Sequence, residues 1–226
     1  MKKRFLQFAL LLLVSSLFLL FCIVPKDNLS AYVLQWQGHD IAFNHKGYWK
    51  RPTHFSCDGE KSKITQSNIQ RVARMPHVNF VQLRNMDLTK IDLSELHGIQ
   101  HWQFLDGNKL TARQIQDIAD NATEVRTFFI SNVSLNKEAI IAFSKHPIVH
   151  MTLANVDLNN EDVQAFEDFE QLERLGLTNS KITDEGLGIF VSMQQLKELD
   201  LRNTNVSLAG VEKLQSERPD MKIHWR

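Results

Sequence analysis

Nine histidines are the first residues of this chain that could do chemistry. His97 and His101 stand four apart, as do His146 and His150, a spacing that puts two imidazoles on one face of a helix. His97-Gly98 and His146-Pro147, however, fall where the chain is expected to turn, so the helical condition is not met. No cysteine or carboxylate completes a ligand set and the HExxH pattern is absent, so the histidines are expected to be scattered over the surface without a metal. Glu161, Asp162, Glu167, Asp168, Glu170 and Glu173 crowd one stretch, but their spacing assigns most of them to a solvated helical face. The paired acids of a glycosidase must instead oppose each other across a cleft. No nucleophile elbow, phosphate loop or glycine-rich dinucleotide fingerprint occurs. Neither a catalytic residue nor a small-molecule cofactor is expected, and a hydrolase is the weakest of the functional readings.

Charge and cysteine usage narrow the classes further. Lys and Arg number 26 against 26 Asp and Glu, and no long basic run follows residue 4, so nucleic-acid binding lacks an electrostatic footprint. Cys22 lies in an apolar run and leaves Cys57 alone in the remainder, so no intrachain disulfide framework forms and the compartment stays open. Asn28, Asn121, Asn132 and Asn205 each begin an N-x-[ST] triplet, some of them generated by the repeat spelling described next.

Any surface chemistry must be positioned by a repeated unit. Leu172, Leu175, Leu177, Ser180, Ile182, Thr183, Gly186 and Leu187 recur as Leu196, Leu199, Leu201, Thr204, Val206, Ser207, Gly210 and Val211. The interval is about 24 residues throughout, within the range of solenoid repeats. Leu199 and Leu201 alternate across Asp200 as in a strand with one buried face, and Val211 and Leu214 then fall at helical spacing. The spelling L-x-x-L-x-L-x-x-[ST]-x-[IV]-[TS] resembles the leucine-rich repeat signature, with Ser180 and Thr204 where Asn or Cys is usual. This resemblance covers about residues 60–226 and implies an α/β fold with ribonuclease-inhibitor-like repeats: a right-handed βα arc whose parallel sheet lines the concave face.

Further strands are expected at Val78-Val81-Leu83, Val125-Phe128-Ile130 and Ile148-Met151-Leu153, with Ile64, Thr65, Ile69 and Val72 forming the outer half of an earlier unit. Between Ile99 and Leu110 the pattern is out of step, and Trp102/Phe104 compete with Gln103/Leu105 for the inward positions. Asn85, Asn132, Asn155, Asn179 and Asn203 each follow a strand by the same offset, which predicts a left-handed residue at every one of these turns. Gly107 joins that column if Leu105 points inward, which favours the Gln103/Leu105 pair. Ile223 and Trp225 are expected to enter the core as a last, short strand.

At the other end, Lys2, Lys3 and Arg4 precede an uncharged run from Phe5 to Val24, long enough to span a bilayer core of roughly 20 residues. Residues 1–25 are therefore expected to be a single-pass signal anchor, with the basic cluster cytoplasmic and the C-terminal domain outside the cytoplasm. Cleavage and release, to the periplasm or beyond, is the alternative. Residues 26–60 are expected to cap the stack, with a helix from Asp27 to Trp36 whose Leu29, Val33 and Trp36 share a face, closure at Gly38, and a strand through Ile41 and Phe43. This leading segment resembles that of membrane-anchored bacterial leucine-rich repeat proteins. Residues 46–60 are expected to be an irregular connection, and residues 61–226 the repeat domain.

Two outward columns then compose the concave surface: Gln82, Phe104, Phe129, Thr152, Gly176 and Asp200; and Arg84, Asp106, Ser131, Ala154, Thr178 and Arg202. Phe104 beside Phe129, flanked by Arg84 and Arg126, supplies the residue types that concentrate interface energy. The candidate binding residues are Gln82, Arg84, Phe104, Arg126, Phe129, Ser131, Thr152, Asp200 and Arg202. The expected function is a membrane-anchored, non-enzymatic module that binds a protein partner. An envelope glycan-binding or enzyme-accessory protein is the alternative.

Overall fold

Among the described residues a nine-stranded sheet runs from Asp40 to His224, its strands adjacent in sequence order. The computed structural model describes residues 31, 34, 35, 37–44, 51–133 and 135–226. The apolar run Phe5–Val24 and most of the expected Asp27–Trp36 helix lie outside those residues. Among the described residues, no helix is long and apolar enough to cross a membrane.

Strands β1 (Asp40–Asn44) and β2 (Arg51–Asp58) pair antiparallel. From β2 onward every pairing is parallel, through β3 (Phe80–Arg84), β4 (His101–Phe104), β5 (Thr127–Ser131), β6 (His150–Ala154), β7 (Arg174–Gly176), β8 (Glu198–Asp200) and β9 (Lys222–His224). Helices connect them on one side: α1 (Gln66–Ala73), α2 (Ala112–Asn121), α3 (Lys137–Ser144), α4 (Gly188–Ser192) and α5 (Leu208–Glu217), with a 3-10 helix at Asp162–Asp168. Their starts follow from side-chain oxygens that accept orphan backbone N–H groups. Thr65 and Thr111 form capping boxes with Asn68 and Gln114, while Asn136 and Ser207 accept from Ala139 and Gly210.

The alternation read from the sequence holds along the stack. Val81, Leu83, Phe128, Ile130, Met151, Leu153, Leu175, Leu177, Leu199 and Leu201 are all buried. Phe143, Phe166 and Phe190 fill the space behind them from the helical side, with Phe143 centred 4.3 Å from Phe128. Each such side chain contributes on the order of 1.5–3 kcal/mol by leaving water.

Coil length varies chiefly on the helical side. Paired sheet positions are 26 residues apart from Ser56 to Gln82, 21 from Gln82 to Gln103, and 26 from His101 to Thr127. The short coil has turns and no helix between Asp87 and Gln100. This explains why the pattern slips there, and it corrects the register expected for β4.

Trp102 and Phe104 point inward and are fully buried, their rings stacked at 5.7 Å, while Gln103 faces solvent and pairs with Gln82 and Phe129. Phe104 therefore belongs to the core, not to the exposed surface. Gly107 does take the left-handed turn at φ 76°, alongside Asn85, Asn132, Asn155, Asn179 and Asn203 at φ 53–58°. It is reached by one extra residue after the strand, not by shifting the strand. A Cβ on Gly107 would come 2.3 Å from the Asn85 side-chain oxygen, so space favours glycine there over the asparagine that serves the other turns.

The extra residue is absorbed by Asn108, which is buried. Its Nδ2 donates to the carbonyls of Leu83 (2.7 Å) and Leu105 (2.6 Å), and its Oδ1 accepts from Met86 N–H (3.1 Å). Thus the turn is pinned to the preceding coil.

One further expectation at the leading end is corrected. Residues 51–58 form the longest strand of the sheet instead of an irregular connection, because Phe55 and Cys57 alternate inward between His54, Ser56 and Asp58. In the helical stretch before Gly38 (φ 86°), the described core residues are Ala31 and Leu34. At the far end, Ile223 and Trp225 pack against the core, and the indole N–H donates to the Val206 carbonyl at 2.9 Å.

The corrected register is tested by paired truncations. Phe104→Ala is expected to cost about 3–5 kcal/mol in urea unfolding, as other buried aromatics do, and Gln103→Ala less than about 1 kcal/mol. Equal costs at the two positions would refute the assignment.

Candidate functional site: the solvent-facing side of the sheet

Because strand side chains alternate, the sheet face away from the helices is built from three rows of residues. The first runs His54, Phe80, His101, Thr127, His150, Arg174, Glu198, Lys222; the second Ser56, Gln82, Gln103, Phe129, Thr152, Gly176, Asp200, His224. The third holds Asp58 and Arg84, then Ser131 and Ala154, with Thr178 and Arg202 just past β7 and β8.

Of the residues singled out in the sequence, Gln82, Phe129, Thr152 and Asp200 lie in the second row, Arg84, Ser131 and Arg202 in the third, and Arg126 immediately before β5. Phe104 is replaced on this face by Gln103. The first row was missed altogether. Its signal was available, since it consists of the position directly before the first inward leucine of each unit, one more step of the same alternation.

That row alters the account of the histidines. His54, His101, His150 and His224 share the sheet face, whereas His146 is buried at a turn with Nε2 2.7 Å from the Ala119 carbonyl. Among the described residues, no group of three or more His, Cys, Asp or Glu could hold a metal ion.

The two halves of the face differ in chemistry. Toward β2, rings and amides dominate. His54 and Phe80 have ring centroids 4.7 Å apart, Phe80 and His101 6.3 Å, and Phe129 meets His150 edge-on at 4.6 Å. Ser56 donates to Gln82 (3.1 Å) and Gln82 to Gln103 (2.8 Å), forming a chain of bonds across three strands.

Toward β9, ions dominate. Asp200 accepts from Nε and Nη2 of Arg202, at 2.5–3.1 Å. Glu198 faces Arg174 (3.5 Å), Lys222 (3.6 Å) and His224 (2.7 Å) at once. The His224 hydrogen bond, chiefly, holds the Glu198 carboxyl below its ordinary range. A hollow of about 340 Å³ lies among these groups, lined by Gly176 and Leu175 and bordered by His150, Thr152, Arg174 and Asp200.

A thiol–imidazole pair lies away from this face. His39 Nδ1 is 3.0 Å from Cys57 Sγ, and Ser62 Oγ is 3.2 Å from His39 and 3.3 Å from the sulfur. The geometry is that of a nucleophile and its base, but both residues are buried. Burial pushes the thiol up to about 11 and the imidazole down, so both groups are neutral at pH 7. The cluster joins the leading segment to β2 and presents no thiolate to a substrate.

His39, His101 and His150 are each held below the ordinary histidine value, by desolvation first. Arg126 and His54 add to this at His101 and Arg174 adds to it at His150, while Asp40 and Glu198 act the opposite way at His39 and His150. The unfolded chain therefore binds protons first on acidification. These groups cost the fold nothing above about pH 6.5, and stability falls as the pH drops from there through the depressed folded values. The urea midpoint is expected to decline between about pH 7 and pH 5, and the double variant His101→Gln/His150→Gln to flatten that decline. An unchanged slope in the variant would overturn the assignment.

No protein-family model and no curated protein sequence matches the chain. Solved structures do. The internalin C2 of Listeria monocytogenes is 12% identical, with 77% of this chain and 80% of that chain covered, at a TM-score of 0.52. A second Listeria monocytogenes internalin is 11% identical, covering 68% of this chain and 56% of that one, at 0.43. At such identity the likeness to internalin C2 concerns architecture alone. It agrees with the in-order parallel sheet, the inward leucines and the left-handed asparagine turns: the chain has the fold of a leucine-rich repeat protein.

Proposed function

We propose that the chain is a membrane-anchored, non-enzymatic recognition module whose sheet face is a concave surface that binds a protein partner outside the cytoplasm. The supporting observation is the face itself. Two rows of side chains cross eight parallel strands, with a partial third beside them, at a spacing set by the backbone, about 4.8 Å from strand to strand. Nothing among the described elements is packed over the Arg174, Arg202 and Lys222 side chains, which are 53–67% exposed. Half-buried Phe80 and Phe129 beside exposed Arg84 and Arg126 provide anchors of the kind that dominate protein interfaces. An open, water-filled face suits display, because a reaction needs charges held in a dry enclosure. The anchoring part of the reading rests on the basic cluster and uncharged run at residues 2–24.

Photo-crosslinking in intact cells tests the reading. A benzoylphenylalanine placed at Gln103 or Arg84 is expected to give discrete protein adducts, and one at Glu167 on the helical side none. The full chain is expected to stay with membranes after carbonate washing and to be released when residues 5–24 are deleted. Adducts only from Glu167 would reject the face as the site, and release of the full chain would reject the anchor.

A further inference from the structure

The charged half of the face is unevenly balanced, and we infer that the hollow over Gly176 receives a single carboxylate side chain from the protein partner, seated on Arg174. This rests on the reading above and specifies the chemistry of the partner's contact. Three cations, Arg174, Arg202 and Lys222, share the region with two carboxylates, Glu198 and Asp200, so one positive charge is in surplus.

The surplus can be located. Arg202 holds Asp200 through Nε and Nη2, a paired contact that satisfies both oxygens of that acid. Glu198 uses one oxygen on His224 and Lys222 and offers the other to Arg174 at 3.5 Å, through Nε alone. Among the described residues, no hydrogen bond engages Nη1 and Nη2 of Arg174. With its Nε turned to Glu198, the guanidinium leaves its outer edge as a two-toothed donor for a planar carboxylate.

Space is provided next to it. Gly176 follows Arg174 by two residues on the same face and lines the hollow. A Cβ there would meet the Thr152 side chain at 3.1 Å, so a larger residue would fill the seat.

The same charge count argues against a phosphate. A dianion would exceed the surplus and face Glu198 and Asp200 at close range. Nucleic acid would need an extended positive stripe, whereas cations and anions alternate here along the first row from Arg174 to Glu198 to Lys222.

The probe is a short neutral peptide with one central glutamate and a terminal diazirine, compared with its glutamine twin on the full-length protein. The glutamate peptide is expected to label β6–β9 about tenfold more than the twin, as a charge-assisted contact implies. Millimolar acetate should compete. Arg174→Gln is expected to bring labelling down to the level of the twin, and Lys213→Gln, on the helical side, to leave it unchanged. Gly176→Val, which retains every charge, is expected to abolish the preference while circular dichroism shows the fold intact.

Equal labelling by the two peptides, or labelling indifferent to Arg174→Gln, would overturn the assignment. Competition by inorganic phosphate but not acetate would overturn it in favour of a phosphorylated partner. If Gln103 captures a protein in cells while the peptides show no preference, this inference falls and the partner-binding reading stands. If the peptides discriminate while the probes at Gln103 and Arg84 capture nothing, the carboxylate seat stands and its assignment to a protein partner falls.

Discussion

No coil of this molecule buries its own leucines. Leu175 and Leu177 lie at 2% and 0% exposure only because the coils carrying Met151 and Leu199 close over them from either side. The same mutual dependence governs the backbone, since strand N–H and C=O groups find partners on neighbouring coils and not within their own. Stability is therefore a nearest-neighbour property, and the two ends of the described sheet are held by different devices. At the leading end an antiparallel β1 covers β2, with Ala31 and Leu34 buried beside it. At the other, Arg218 is buried and donates to the carbonyls of Phe190, Met193 and Leu196 at 2.8–3.0 Å, with Asp220 balancing its charge. One guanidinium thus gathers carbonyls within and just after α4 and ties the last helix to the coil before it.

Shared strand register also decides where variation is allowed. A residue gained or lost inside a strand would turn its leucines to the opposite face, so insertions must leave the chain elsewhere. The 21-residue coil without a helix and the 26-residue coil with α2 differ almost entirely on the helical side. The one irregularity at a strand end, between Phe104 and Gly107, is held by Asn108. Replacing the Asn108 amide with an apolar group would leave Met86 N–H without its partner and the Leu83 and Leu105 carbonyls one bond poorer, a larger cost than the residue's size suggests.

This geometry explains what the sequence disclosed. Leucine pairs and asparagine turns repeat because core spacing and positive φ admit few residue types, so both were legible one residue at a time. β4 misled because two clues conflicted: the Gly107 turn implied Leu105 inward, while the aromatic pair Trp102/Phe104 had the bulk to fill the core. The larger buried area of the aromatics prevailed, and the turn moved one residue further on. β2 was obscured because Phe55 and Cys57 are not leucines and Pro52 stands at its start, although proline is tolerated there beside the irregular β1 pairing. The face residues are free of packing constraints and therefore carry no pattern. Only the register, once known, shows that His101 and Phe80 are neighbours.

That freedom is the functional content of the design. A rigid sheet sets side-chain positions before any partner arrives, so little ordering entropy remains to be lost on binding. Uncovered charges such as the Glu198 cluster are weak in water, where screening leaves an exposed pair worth at most about 1 kcal/mol. Their worth rises when a partner displaces that water, and the Phe80 and Phe129 rings offer the apolar contact that would do so. The division of the face into an aromatic half and an ionic half is thus a division of labour. One half excludes solvent, and the other, in the drier surroundings so created, tells one partner's charge from another's.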